Sequence, residues 1–199
     1  MTVPIILASA SEIRAQMLRN AGVEIEVMPT RIDEDSVTAA LRAESAPARD
    51  VADALAEGKA RKIAQKRPEA VVIGSDQVLV HDGRLLNKPG SQEDAVTTLT
   101  AMAGGRHQLL SAAVIYADAK PVWRHVGTVR VQMREVSNAY IQSYVTRNWD
   151  SIQHAVGAYK LEEEGARLIA SVEGDYFTVL GMPLLQVLSY LSLRGVIDT

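Results

Sequence analysis

The sequence predicts an α/β fold, in which a mixed β-sheet is flanked by helices, and three observations lead to that prediction. Short apolar runs at residues 4–8 and 70–75 have the length and composition of buried strands. Residues 12–21 and 50–65 instead repeat their apolar residues with helical spacing. Turn signals such as Asp82-Gly83 separate the segments. Strands and helices that alternate in this way are typical of a sheet with helices on its faces.

The remaining elements follow from the same periodicities and from capping residues. Residues 29–45 are polar and predict a mobile loop with a short helix. Ser11, Ser91 and Ser137 are the expected N-caps of three helices, and Pro183 is expected to open the last one. The predicted strands are residues 4–8, 23–27, 70–75, 108–117, 122–136 and 166–173, with a hairpin over 78–86, and the predicted buried face of the last helix is Leu184, Leu185, Leu188 and Leu191.

Length and composition limit the class of protein. The 199 residues are 47% hydrophobic and show no repeat or break in composition, so we expect one domain over residues 1–199. The net charge is -3 and the 21 basic residues are scattered, which argues against a nucleic-acid-binding surface. The absence of cysteine excludes disulfides and thiolate metal sites. Without a signal-like start or a membrane-length apolar run, a soluble cytoplasmic protein is expected.

Asp76 is the most informative residue of the chain. It follows the apolar run that starts at residue 70, which predicts a carboxylate at the end of a buried strand, where α/β folds bind ligands. The cations Arg14, Lys59 and Lys88 are candidates to converge on it. Such a set suits a polyphosphate bound together with a divalent metal. We therefore expect an enzyme that acts on phosphate bonds, although each cation taken alone is typical of a protein surface.

Two further segments are candidates for the same site. The turn Ser9-Ala10-Ser11 precedes a helix and can present free N–H groups and hydroxyls to an anion, with Arg14 one turn later. Read alone, the turn favours an ordinary capped helix. Asp33-Glu34-Asp35 offers carboxylates of the kind that Mg²⁺ prefers, although a short acidic run is usually solvated.

Other chemistries lack their motifs. The four histidines show no zinc spacing, so they are expected to be structural, and no P-loop or complete dinucleotide-binding glycine pattern is present. A Gly-x-Ser-x-Gly elbow is also absent, which leaves serine hydrolysis without support.

Taken together, these segments resemble the Maf family of nucleoside triphosphate pyrophosphatases, over nearly the whole chain. The specificity comes from the order and spacing of several motifs, each weak alone. They are Leu7-Ala8-Ser9-Ala10-Ser11-x-x-Arg14, Asp33-Glu34, Lys59-Ala60, Gly74-Ser75-Asp76-Gln77-Val78, Asp82-Gly83 with Lys88-Pro89, Gly104-x-x-His107, Gly157-Ala158-Tyr159, and the segment from Glu173-Gly174-Asp175 to Pro183-Leu184.

The resemblance implies a fold of two lobes around a nucleotide cleft, a homodimer, and hydrolysis of a nucleoside triphosphate to the monophosphate and pyrophosphate with Mg²⁺ or Mn²⁺. It also implies roles for individual residues. Asp76 would be the catalytic carboxylate and, with Glu34, a metal ligand, while Ser9, Arg14, Lys59 and Lys88 would bind the triphosphate.

Two positions depart from the family pattern. Ala15 stands where many members have a second arginine, a loss that Lys160 is a candidate to compensate. Glu162 stands where the pyrimidine-directed branch has glutamine. A carboxylate only accepts hydrogen bonds, which suits the N–H donors of guanine and the positive charge of 7-methylguanine. Together with Gly74-Ser75-Asp76-Gln77, which resembles the 7-methyl-GTP branch, Glu162 predicts a preference for 7-methyl-GTP.

Several alternatives stay open at this stage. If Glu162 faces solvent, the enzyme is a broad or pyrimidine-directed (dTTP or UTP) pyrophosphatase. In another class, the chain would be a non-catalytic nucleotide-binding regulator of septum formation. A nucleotidyltransferase lacks support, because Ser-Ala-Ser replaces the usual glycine-rich loop before the arginine.

Overall fold

The computed structural model describes residues 3–198, which form a mixed sheet of seven strands with helices. The strands are Ile5–Leu7 (β1), Glu26–Val27 (β2), Val71–His81 (β3), Arg84–Leu86 (β4), Arg106–Ala117 (β5), Lys120–Met133 (β6) and Ile169–Glu173 (β7). The α-helices are Glu12–Asn20 (α1), Glu34–Ala43 (α2), Ala48–Ala64 (α3), Gln92–Met102 (α4), Asn138–Ile152 (α5), Tyr176–Val179 (α6) and Leu184–Leu193 (α7), with 3₁₀ turns at Val156–Ala158 and Glu164–Leu168.

The sheet has the order β2-β1-β3-β5-β6-β7, and β4 pairs with β3 at the side of this path. Strand β1 runs parallel to both β2 and β3, whereas β3–β4 and β6–β7 are antiparallel. The sheet is therefore mixed and accompanied by helices, which confirms the predicted fold class. Among residues 3–198, no helix has both the length and the apolar character that crossing a bilayer requires.

The chain divides into two compact units. The first comprises the described residues up to Gln77, then Ser111–Gly127 and the part from Gly181 onward. The second comprises Val78–Leu110 and Thr128–Leu180. In the first unit β1 is buried throughout and β3 is buried from Val71 to Asp76, as expected for strands that pack on both faces. The second has its own apolar cluster, with Leu79, Leu99, Ile141 and Tyr144 fully buried within it.

The prediction that a strand ends at Asp76 is wrong. Strand β3 continues through Asp76 to His81, and the chain turns only at Asp82 and Gly83, which have φ angles of 47° and 72°. The apolar residues Val78, Leu79 and Val80 maintain the strand beyond the acid. Two successive left-handed residues are the conformation that a tight hairpin needs, so the predicted turn at Asp82-Gly83 is confirmed.

The three serines predicted as N-caps all occupy the N-cap position of their helices, but within residues 3–198 only two of them make a capping hydrogen bond with the side chain. The side chains of Ser91 and Ser137 accept hydrogen bonds from the backbone N–H groups of Asp94 and Tyr140. Ser11 is the N-cap of α1, but its hydroxyl makes no capping hydrogen bond to the described residues. The expected short helix within residues 29–45 is α2.

The last part of the chain contains two differences from prediction. Asp175 caps the short helix α6, where only a turn was expected, by accepting from the N–H and hydroxyl of Thr178. Helix α7 begins after Pro183 as expected, but its buried residues are Leu184, Val187 and Leu191. Leu185 is half-exposed because the buried stripe follows the i, i+3, i+7 spacing, and consecutive leucines cannot share one face.

Candidate active site

Three charged side chains meet around the ammonium group of Lys59. Its Nζ lies 3.0 Å from Oδ2 of Asp76 and 2.8 Å from Oε1 of Glu34. Lys59 and Asp76 are each only 8% exposed, whereas Glu34 is partly open to solvent. The second oxygen of Asp76, Oδ1, accepts from the N–H of Gln77. One buried ammonium is thus shared by two carboxylates. Removing any one of the three charged groups would leave a buried charge without full compensation.

A glycine allows helix α3 to bring Lys59 to this place. A Cβ atom at Gly74 of β3 would overlap the carbonyl oxygen of Ala56 and lie 2.7 Å from the Cβ of Ala60, both on α3. Only a glycine permits that close approach of helix and strand. Since Lys59 adjoins Ala60 and Asp76 lies two residues after Gly74, the close packing brings the ammonium and the carboxylate together.

Of the acidic run at residues 33–35, only Glu34 joins this cluster. Asp33 is the N-cap of α2, and its carboxylate accepts from the backbone N–H and hydroxyl of Ser36, at 3.0 and 2.7 Å. These hydrogen bonds lower the pKa of Asp33. Asp35 is exposed.

Arg14 is buried and held mainly by backbone carbonyl groups. Its Nε donates to the carbonyl oxygen of Gly181 at 2.8 Å, and its Nη1 donates to that of Ser75 at 3.0 Å and to Oγ of Ser9 at 3.3 Å. Burial lowers the pKa of Arg14, while the charges of Asp76 and Glu34 raise it. Among the described residues Nη2 has no hydrogen-bond partner, so it is the part of the guanidinium that can take an anion.

Ser9 connects the turn to this arginine. Its buried Oγ accepts from Nη1 of Arg14 and also from the backbone N–H of Ser11, at 3.2 Å. Ser9 thus bonds both the turn that precedes α1 and the arginine within α1. Ser9 and Arg14 are therefore brought together, as the sequence predicted.

Two residues that support Arg14 were not identified from the sequence. The fully buried Ser75 donates its hydroxyl to the carbonyl oxygens of Ala112, at 2.8 Å, and Gly181, at 3.0 Å. Gly181 has a φ of 108°, and a Cβ there would lie 3.0 Å from Nη2 of Arg14. Both were noted only as parts of motifs, and the signal available was the position of Gly181 before Pro183 in a segment that resembles the family.

The other predicted site residues belong to the second unit. Lys88 follows β4 in an exposed loop. Lys160 donates from Nζ to Ser151 Oγ at 2.6 Å and to Glu163 Oε1 at 3.2 Å. Glu162 is exposed, and it forms no ion pair or hydrogen bond with the part of the chain that the structure describes. Within the first unit, the structure assembles Ser9, Arg14, Glu34, Lys59 and Asp76.

The carboxylates of this cluster are possible ligands of a divalent metal. Within residues 3–198, no three or more His, Cys, Asp and Glu side chains form a group that could hold a metal ion. Asp76 and Glu34 nevertheless present oxygen atoms to one common point, the Lys59 ammonium. Mg²⁺ commonly uses one or two carboxylates and completes its shell with substrate phosphates and water. The residues present therefore fit a metal that arrives with a polyphosphate.

Comparison with known proteins identifies the family. A family model described as "Maf-like protein" matches residues 4–193. The chain belongs to the Maf family, which confirms the resemblance found in the sequence. It is 64% identical over 199 residues, 100% of both chains, to a protein of Ruegeria pomeroyi named nucleoside triphosphate pyrophosphatase. A protein of Roseobacter denitrificans with the same name is 65% identical over 192 residues, 96% of both chains. A protein of Mesorhizobium japonicum named 7-methyl-GTP pyrophosphatase is 42% identical over 198 residues, 100% of both chains.

Proposed function

We propose that this chain hydrolyses nucleoside triphosphates to the nucleoside monophosphate and pyrophosphate. The observation that carries the proposal is the buried group of Asp76, Lys59 and Glu34, whose carboxylate charges also act on Arg14. The names of the Ruegeria and Roseobacter relatives support the same reaction. The chain is a hydrolase of phosphoric anhydride bonds.

The cations neutralise the triphosphate as charge develops on the leaving pyrophosphate. In the first unit, Nη2 of Arg14 and the Lys59 ammonium take phosphate oxygens, and Ser9 adds its hydroxyl. Lys88 and Lys160 are the further cations of the proposed site. Preorganised donors of this kind act where charge appears in the transition state, which is where they accelerate the reaction.

Asp76 is the proposed catalytic carboxylate. A water molecule forms the new bond to the α-phosphorus, the bond from the α-phosphorus to the bridging oxygen breaks, and pyrophosphate leaves with the electron pair. The proton that the water loses is released to solvent with the products. Asp76 accepts a hydrogen bond from that water and orients it. A bound Mg²⁺ or Mn²⁺, for which Asp76 and Glu34 are the proposed ligands, supplies further neutralisation of the phosphate charge.

For the base we propose 7-methylguanine, with Glu162 as the residue that reads it. The exposed Glu162 has a carboxylate without a partner among residues 3–198, and it can accept from the N1–H and amino groups of guanine. The Mesorhizobium relative and a 41% identical Brucella abortus relative are named 7-methyl-GTP pyrophosphatase. The same exposure keeps the pyrimidine alternative in place, because a carboxylate that stays in solvent selects no base.

The experiment measures pyrophosphate release with Mg²⁺ from 7-methyl-GTP, GTP, dTTP, UTP and CTP. We expect fast turnover of 7-methyl-GTP. Turnover of dTTP or UTP in its place would retain the reaction and reject the base assignment. Nucleotide binding without any turnover would reject the reaction and favour the non-catalytic regulator.

A matched pair of variants tests Glu162 directly. In Glu162→Gln, the ratio of kcat/KM for 7-methyl-GTP to that for dTTP is expected to fall by about tenfold or more, because an amide donor replaces an acceptor facing the base. Glu163→Gln makes the same change at the neighbouring residue, which bonds Ser151 and Lys160, and should leave the ratio unchanged. Equal ratios in both variants would remove Glu162 from the site.

The proposed assembly is a homodimer of one domain spanning residues 1–199. Leu185 and Leu193 of α7 are 50% and 84% exposed, and exposed leucines of this kind are consistent with a covered surface in a dimer. Light scattering coupled to size-exclusion chromatography measures the mass directly. A mass of one chain at micromolar concentration would contradict the dimer.

A further inference from the structure

Lys59 is held differently from the other buried cation of the site. Arg14 donates to two carbonyl oxygens and a hydroxyl, which are neutral and fixed by the fold. Within the described chain, the Lys59 ammonium instead has only Asp76 and Glu34 as partners. Its position therefore depends on two negative charges, on a flexible four-carbon stem.

The same two carboxylates are the proposed metal ligands. A dication bound to Oδ2 of Asp76 and Oε1 of Glu34 would use the same two oxygen atoms that the Lys59 ammonium contacts, at 3.0 and 2.8 Å. Two cations so close together repel strongly where water is largely excluded, and Lys59 and Asp76 are both buried. Ammonium and metal therefore cannot both hold these oxygens in the observed arrangement.

We infer that Lys59 is an internal competitor of the metal, so that the chain binds a divalent ion tightly only together with a triphosphate. The phosphate oxygens draw the ammonium away from the carboxylates, and the carboxylates then become available to the metal. Departure of pyrophosphate reverses the exchange and releases the metal. This inference rests on the proposed function, since it takes Asp76 and Glu34 as the metal ligands.

The test titrates Mn²⁺ into the full-length chain without nucleotide and follows free Mn²⁺ by electron paramagnetic resonance. Wild type is expected to bind weakly. Lys59→Gln removes the charge but keeps an amide that can donate to Asp76, and it should bind Mn²⁺ about tenfold or more tightly. Lys59→Met removes the charge without a donor and should show the same gain.

Three further variants control the measurement. Lys62→Met on the same helix removes a solvent-exposed ammonium that donates to the Arg31 carbonyl oxygen, and should bind Mn²⁺ as wild type does. Lys59→Arg keeps the charge and should also show no gain. Adding Glu34→Gln to Lys59→Gln should cancel the gain, because one of the two ligands is lost.

Folding is checked by circular dichroism at each titration temperature, and Lys59→Gln carries the test if Lys59→Met does not fold. Wild-type affinity that equals or exceeds that of folded Lys59→Gln would overturn the inference. Pyrophosphate release by wild type decides the proposed function separately. Turnover by wild type without a gain in Lys59→Gln rejects the competition alone, and absence of turnover rejects the function.

Discussion

Two groups of charged side chains, one in each unit, are held in contrasting ways. In the first, Arg14, Lys59 and Asp76 are all buried. Lys59 pairs with Asp76, and Arg14 donates to backbone carbonyl oxygens and to Ser9. In the second, the charged side chains of residues 160–164 are more accessible to solvent, where Lys160 pairs with Glu163 and Glu164 pairs with Arg147. Glu164 is typical of this group, since Arg147 and then Asn148 hold its pKa at about 2. Loss of one partner is costly in a buried group and costs little at a surface.

Under the proposed function, the two groups have different tasks. Buried charges with fixed partners suit the step that every triphosphate shares. The exposed segment around Glu162 suits the part that differs between nucleotides. Substitutions in the first group should therefore change rates and stability, and those in the second should change selectivity.

The largest expected effect comes from Asp76→Asn. The neutral amide neither orients water as a carboxylate does nor compensates the Lys59 ammonium, so turnover should fall by about 10³-fold for every nucleotide. Asp82→Asn makes the same change in the exposed hairpin turn, at a left-handed residue that asparagine tolerates, and should retain activity. Similar rates for the two variants would contradict the proposed catalytic role of the buried Asp76 carboxylate.

His107 is a buried titratable residue of the second unit. It therefore tests whether a charge is costly to the folded state because it is buried, whichever unit it belongs to. It lies buried in the second unit, 2.7 Å from the hydroxyl of Tyr159, and its Nδ1 has no partner among residues 3–198. Burial, with a smaller contribution from His81, lowers the pKa of His107 to about 4. Between pH 6.5 and 4 the unfolded chain therefore binds a proton that the folded chain does not.

The free energy of unfolding should consequently decrease as the pH falls from 6.5 to 4, by up to about 3 kcal/mol, and this loss should level off below pH 4. Urea unfolding across this range measures it. His107→Gln should lack the slope, whereas substitution of the exposed His154 should leave the slope in place. An identical slope in His107→Gln would show that other groups cause the pH dependence.

Arg14→Lys should lower stability by about 2 kcal/mol and raise KM for the nucleotide, because an ammonium does not reproduce the planar set of donors to Gly181, Ser75 and Ser9. Arg19→Lys on the same helix is the control, since among residues 3–198 the Arg19 side chain bonds only the exposed Glu12. Urea unfolding and steady-state kinetics measure both effects. Equal effects at the two arginines would contradict the structural role of Arg14.

The smallest of these effects concerns the support of Arg14. Gly181→Ala places a Cβ against the guanidinium at a positive φ, whereas Gly195→Ala has a positive φ of 65° and open space around it. Both should lose stability, and Gly181→Ala should lose about 1–2 kcal/mol more. Equal losses would mean that only the backbone angle matters at Gly181.

The sequence predicted most of what depends on local chemistry. The apolar run of β3, the capping serines Ser91 and Ser137, and the turn at Asp82-Gly83 are properties of neighbouring residues, and they were predicted correctly. The convergence of Lys59 on Asp76 was predicted from the residues before any family resemblance was considered, although strand β3 was expected to stop at the acid. That error arose because a charged residue inside a strand is unusual unless a distant cation compensates it.

What the sequence did not predict depends on contacts between distant segments. The support of Arg14 by Gly181 joins residues 167 positions apart, and nothing local to either position indicates it. Local acidity likewise did not distinguish Glu34, which reaches Lys59, from Asp33, which caps a helix. The outward position of Leu185 was missed because four leucines in one helix were assigned to one face, while Val187 occupies part of it.

The most direct test of the account is a single turnover of 7-methyl-GTP by wild type in ¹⁸O-labelled water, with Asp76→Asn in parallel. Attack of water at the α-phosphorus predicts label in 7-methyl-GMP, none in pyrophosphate, and almost no reaction in the variant. Label in pyrophosphate or in inorganic phosphate would contradict the account, because water would then attack the β- or γ-phosphorus. Undiminished label in the Asp76→Asn product would contradict the role of Asp76.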